Sequence, residues 1–174
     1  MGLLKLLGIR KEERAGRDEL GTLFEGIEGI IGDRPVDEIK LITGYAGLLG
    51  RVAYADLEIT DDELARMHRV LASVLGLADD EVEAIVEILL RHRVQLLSLE
   101  DHVYARLVND VADRPHKLKL LRALYEVGAA DGSVREREDQ EIRVISKALM
   151  LSHGDFIDAR REFRDHLAVL KGDS

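Results

Sequence analysis

At 174 residues the chain has the length of one domain with enough material to bury a real core, and 46% hydrophobic against 34% charged residues is a globular balance. A formal charge of −9 and a pI near 5.2 argue against a nucleic-acid partner, which calls for clustered Lys and Arg. Zero cysteines exclude disulfides, thiolate metal sites and cysteine nucleophiles and fit a cytoplasmic location, while 4% aromatics, no Trp and two prolines favour an aliphatic, all-helical core.

Residues 1–10 are amphipathic but lack a long apolar region and a small-residue cleavage site, so they make a poor signal peptide. They are expected to fold back on the core or fray, with peripheral membrane contact as the alternative. The charged stretch 11–18 reads as a linker, which puts the folded domain at residues 19–171. A first helix is expected over 19–31, where Leu20, Leu23, Phe24, Ile27, Ile30 and Ile31 form a stripe interrupted by Gly26, Gly29 and Gly32. Asp33-Arg34-Pro35 breaks the chain.

The stretch 36–55 carries two apolar faces, Ile39, Ile42, Ala46, Leu49 and Ala53 on one and Leu41, Tyr45, Leu48 and Val52 on the other. Two such faces mark a central, surrounded helix. Gly44, Gly47 and Gly50 each cost about 1 kcal/mol of helix propensity there, which points to a closely packed neighbour; the glycine-bearing first helix is the expected one. Further helices are expected over 61–75, from Ala78-Asp79-Asp80-Glu81 onward, over 100–112, 115–130 and 136–151, and from Gly154-Asp155, before a frayed tail at 171–174. Asp113-Arg114-Pro115 repeats the earlier break. No apolar run approaches the ~18–20 residues of a membrane span. The expected architecture is a single-domain bundle of about seven or eight helices with an internal duplication.

The duplication shows best in two acidic corners. Ala55-Asp56-Leu57-Glu58-Ile59 is followed by Glu63, and Ala130-Asp131-Gly132-Ser133-Val134 by Glu138, with 75 residues separating the two Asp and the same 75 the two Glu. Hard carboxylate oxygens suit Ca²⁺, Mg²⁺ or Mn²⁺, though neither corner is an EF-hand and a cation would need both together. The competing account is helix capping: Thr60-Asp61-Asp62-Glu63 fits a capping box, whereas Ser133-Val134-Arg135-Glu136 fits one in a register that leaves Glu138 out. The six histidines show no His-Glu-x-x-His spacing, and no Gly-x-Ser-x-Gly or phosphate-binding glycine loop is present.

The runs Ala-Tyr-Ala-Asp-x-Glu-Ile-x-x-x-Glu-Leu at 53–64 and Ala-Ala-Asp-Gly-Ser-Val-x-x-x-Glu at 129–138 resemble the paired motifs of TerB-like domains. These are all-helical bacterial domains named from tellurite resistance and also found fused to a membrane-anchored co-chaperone of the DnaJ type. The resemblance covers roughly residues 22–170. It implies duplicated helices and a metal-binding or interaction patch formed by Asp56, Glu63, Asp131 and Glu138. One departure is Leu57, where a Gly is expected after the first Asp, and it puts a symmetric pair of corners in question. Two functions follow as expectations: a cytosolic, non-enzymatic interaction module in a stress response with an unidentified protein partner and a divalent cation as its one cofactor, or a metal-dependent hydrolase using the same four acids.

Overall fold

The computed structural model describes residues 14–93 and 101–167, and these form eight α-helices: α1 (Arg14–Ile31), α2 (Val36–Ala53), α3 (Asp61–Leu75), α4 (Asp79–Arg91), α5 (Asp101–Val111), α6 (Arg114–Gly128), α7 (Glu136–Ala148) and α8 (His153–Glu162). A 3-10 turn, Arg164–His166, ends the described chain, and the described residues contain no strand beyond an isolated parallel bridge between Val134 and Leu167. The fold is the all-α bundle expected. Helix α1 starts at Arg14, inside the stretch read as a linker, and the amphipathic segment 1–10 and the tail 171–174 lie outside the described residues.

Helix α2 is the hub. It touches α1, α3, α4, α5, α6 and α7, and every residue from Ile42 to Ala53 is buried, as two apolar faces require. Its glycines have a different partner from the one expected. A Cβ on Gly44 would lie 2.6 Å from Cγ2 of Val108 and 3.1 Å from the Tyr104 carbonyl oxygen, and one on Gly47 would lie 2.3–2.8 Å from three atoms of the Tyr104 ring. The notch therefore admits α5, not α1. On α1, Gly26 faces Ile88 of α4 and Gly29 opens on empty space. A glycine stripe announces a close neighbour without identifying it, because the aromatic ring that fills this one comes from a helix some 60 residues on.

The two Asp-Arg-Pro breaks do more than stop helices. Arg34 donates from Nη2 to both oxygens of Glu81 at 3.0 Å, and Arg114 donates from Nη2 to Asp155 at 2.5 Å. Glu81 and Asp155 are the acids that turn back to cap α4 and α8, accepting from the Ala78 and Ser152 backbone N–H groups at 2.9 Å each. Each break thus ties the start of one helix to the capped start of the helix that closes the same half of the chain. For Asp155, burial pushes the carboxyl up, but the Ser152 N–H and hydroxyl and the Arg114 guanidinium outweigh it and hold the group below the usual carboxylate range.

Filling the α2 notch should unsettle the bundle. Gly47→Ala is expected to destabilise by about 1–3 kcal/mol through overpacking on Tyr104. Gly29→Ala, made into open space on a helix, should stabilise by about 0.5–1 kcal/mol. Urea midpoints of the two variants check this, and equal shifts would contradict the assigned packing.

Candidate functional site: the paired acidic corners

Helices α2 and α6 end in the same way. Ala55 N–H bonds Val52 O at 3.1 Å and Leu57 N–H bonds Tyr54 O at 2.9 Å; Ala130 N–H bonds Val127 O at 3.1 Å and Gly132 N–H bonds Ala129 O at 2.9 Å. The Asp that follows folds onto its own loop in both cases. Asp56 Oδ1 accepts from Glu58 N–H at 3.2 Å, and Asp131 Oδ1 accepts from Ser133 N–H at 3.1 Å. The residue after each Asp is left-handed, with φ of 71° at Leu57 and 94° at Gly132. Leu57 therefore adopts the conformation for which glycine is the natural residue, at a cost of about 1–2 kcal/mol.

From these turns the chain enters α3 and α7, each with a glutamate at its third position. Glu63 completes a capping box: its Oε2 accepts from Thr60 N–H at 2.7 Å and from the Thr60 hydroxyl at 3.0 Å, while its own N–H donates to Thr60 Oγ1 at 3.2 Å. Glu138 also caps. Its Oε2 accepts from Arg135 N–H at 2.7 Å, so the cap position of α7 is Arg135, and the register suggested by Ser133 is not the one used. The box pattern asks for Ser or Thr at the cap, which is why a glutamate capping from behind an arginine escapes it.

With their Oε2 atoms engaged at home, the two glutamates meet through the other side. Glu63 is 0% and Glu138 1% exposed, and their carboxyl groups stand beside each other, so that a proton on Glu138 could bond Glu63. A hydrogen bond between two carboxyls needs a proton on one of them. Burial pushes the Glu138 carboxyl up to about 8; the Arg135 N–H opposes this, and the Glu63 hydrogen bond and charge add to it. Glu63 Oε1 is buried and takes no hydrogen bond from any other group, and a Glu138 carboxyl that keeps its proton is the donor at hand. Gly128 at the end of α6 and Val52 near the end of α2 border this contact.

The aspartates are drawn together by a cation the protein supplies itself. Arg135 donates from Nη1 to Asp56 Oδ2 and from Nη2 to Asp131 Oδ2, the latter at 3.0 Å. Asp56, Glu63, Asp131 and Glu138 are thus linked through Arg135 and the Glu63–Glu138 contact. Sequence reasoning passed over Arg135. The signal was present, since Arg135 follows Asp131 by four residues and occupies the position 75 after Thr60.

Two further ion pairs follow the same correspondence with the charges exchanged. Arg51 Nε of α2 donates to Glu141 Oε1 of α7 at 2.7 Å, and Arg66 of α3 lies 3.8 Å from Glu126 of α6. Positions 51 and 126, like 66 and 141, stand 75 apart. Among the described residues no group of three or more His, Asp or Glu is arranged to hold a metal ion. The space between Asp56 and Asp131 belongs to the Arg135 guanidinium.

The Glu63–Glu138 contact makes stability depend on pH. The folded Glu138 carboxyl keeps its proton up to about pH 8, whereas the unfolded group releases it near 4.5. The folded state therefore binds more proton between these values, and stability falls as pH rises through that window, by roughly 2–4 kcal/mol. Glu63→Gln keeps a capping acceptor and gives the contact an N–H donor, so it should flatten this fall and raise the melting temperature at pH 8. Denaturation of both proteins at pH 5.5, 7 and 8.5 checks the expectation. An unchanged slope would contradict it.

The family model described as tellurite resistance protein TerB matches residues 43–161, from the middle of α2 through most of α8, and so takes in both corners. No curated protein and no solved structure matches the chain. With more than half of its length and all four corner acids inside the match, the chain belongs to the tellurite resistance protein TerB family.

Proposed function

We propose that this chain is a non-enzymatic, cytosolic interaction module of the TerB family, serving a stress response of the kind the family's name records, and that the corners form its partner-facing surface. The observation that carries the reading is Leu57. It is 68% exposed and held in the left-handed region at the tip of the first corner, beside Asp56. The left-handed leucine strains the backbone while its apolar side chain stays free for contact, and backbone strain of this kind collects at binding sites. Partly exposed carboxylates of Asp56 and Asp131, set by Arg135, flank it with fixed polar groups, as the rim of a contact surface requires. No helix among the described residues is long and apolar enough to cross a membrane.

A divalent cation fits this reading as a competitor of Arg135. Ca²⁺, Mg²⁺ or Mn²⁺ bridging Asp56 and Asp131 would take the place of the guanidinium, and the oxygen donors there are of the type such ions prefer. Glu63 and Glu138 each have one oxygen committed to a cap, and Glu138 would enter the ligand set only by giving up its proton.

Two experiments test these statements. Leu57→Gly relieves the backbone strain and removes the apolar contact, so it should leave stability unchanged or raise it by about 1 kcal/mol while weakening capture of partners from a host lysate. Capture at the wild-type level would place the contact surface elsewhere. For the cation, melting temperatures are compared with and without each ion. Arg135→Gln should enlarge the ion-dependent rise and Asp131→Asn should abolish it, since an ion stabilises only the state it binds. If the wild type and Arg135→Gln are both indifferent to all three ions, no cation acts at the corners.

A further inference from the structure

On the far side of α7 from the glutamate contact, two adjoining cavities of about 320 and 190 Å³ lie between α7 and α8 and share Arg143, His153 and Phe156. Their combined size is that of a site for one or two side chains. The smaller one adds Lys147 and Leu151 and has no carboxylate among its lining residues. Arg143 and Lys147 stand four apart on α7, where like charges repel by a few tenths of a kcal/mol, and neither has an ion-pair partner among the described residues. In a chain with 34 acids against 25 Lys and Arg, the smaller cavity is thus edged by two exposed cations and no carboxylate.

The rest of the cleft is already settled. Arg160 binds both oxygens of Asp139 at 2.9–3.0 Å, and the Tyr125 hydroxyl donates to the same carboxylate at 2.8 Å. The Tyr125 ring lies against Phe163 and Phe156, with centroids 5.4 and 6.4 Å away, and His153 lies 6.2 Å from Phe156. Phe156, buried but for 7% of its surface, is a fixed apolar floor with cations along one edge.

We propose that this cleft binds an acidic peptide segment of a partner protein, with an aliphatic or aromatic side chain on Phe156 and a neighbouring carboxylate on Arg143 and Lys147. Charge complementarity to the two cations and the apolar floor beside them select a ligand that carries both groups a residue or two apart. A lone phosphate would leave Phe156 uncovered. An anionic membrane surface would also press against Glu136 and Asp139, which line the larger cavity, whereas a peptide can set its carboxylate against the smaller one, where no acid stands. The surface is separate from the corners, so the inference does not rest on what they bind.

The test is a selection from a random 12-residue peptide library displayed on phage, against the full chain and against an Arg143→Glu/Lys147→Glu variant. Both residues are exposed, so the variant should fold, melting only slightly below the wild type because Lys147 stands in the last turn of α7. Peptides enriched on the wild type are expected to carry Asp or Glu within two residues of Leu, Ile or Phe. The leading peptide, synthesised with a fluorophore, should bind the double variant about tenfold more weakly or worse, and bind Arg69→Glu, a charge reversal on α3, like the wild type. Failure to enrich any peptide, enrichment without acids, or equal binding by the double variant would overturn the proposal. Sedimentation with phosphatidylglycerol vesicles that the double variant loses would overturn it in favour of a membrane surface.

Discussion

The structure turns on two glutamates that meet where water does not reach. Two ionised carboxylates side by side inside a protein would repel each other and forfeit their hydration, which favours keeping a proton on one of them. Here each carboxyl first caps its own helix, and the proton on Glu138 then turns the remaining repulsion into a hydrogen bond with Glu63. One glutamate opens α3 and the other α7, so their contact adds a polar link between two halves already joined by the packing of α2 on α5, α6 and α7. The helices that precede them, α2 and α6, end against the same contact at Val52 and Gly128.

Around that contact the protein balances charge outward. Arg135 gives its backbone N–H to Glu138 and its side chain to Asp56 and Asp131, so one residue links the buried pair to the surface aspartates. Burial pushes its guanidinium down, but the bonds to Asp56 and the charges of the other acids hold it above its ordinary value. Arg51 with Glu141 and Arg66 with Glu126 brace the four helices on either side. This network of hydrogen bonds and ion pairs sets the positions of both corner aspartates around Leu57.

Much of this was legible in the residues. The constant spacing of 75 between corresponding acids brings Asp56 near Asp131 and Glu63 near Glu138, and the amphipathic stripes place α2 at the centre. Other features were legible only in retrospect. The glycines of α2 announce close packing, but the ring that fills their notch belongs to Tyr104, and nothing local to either segment pairs them. Leu57 looked like an obstacle to a second glycine-type turn; the hydrogen bonds around Asp56 hold the left-handed conformation regardless. The Glu138 cap was hidden by a template that expects a hydroxyl at its start. Arg135 was overlooked because an arginine among acids resembles an ordinary solvated helix start until the partner aspartate arrives from 79 residues away.

The central claim is that a protonated Glu138 carboxyl is bonded to Glu63 in the folded protein. Carbon-detected NMR of the glutamate side-chain carboxyls across a pH series reads this directly, with Glu63→Gln and Glu138→Gln used for assignment. One carboxyl resonance should move with a midpoint near 8, perturb its partner as it does so, and vanish in Glu138→Gln. If every glutamate carboxyl instead titrates in the ordinary range near 4–5, Glu138 holds no proton at neutral pH and its bond to Glu63 does not exist.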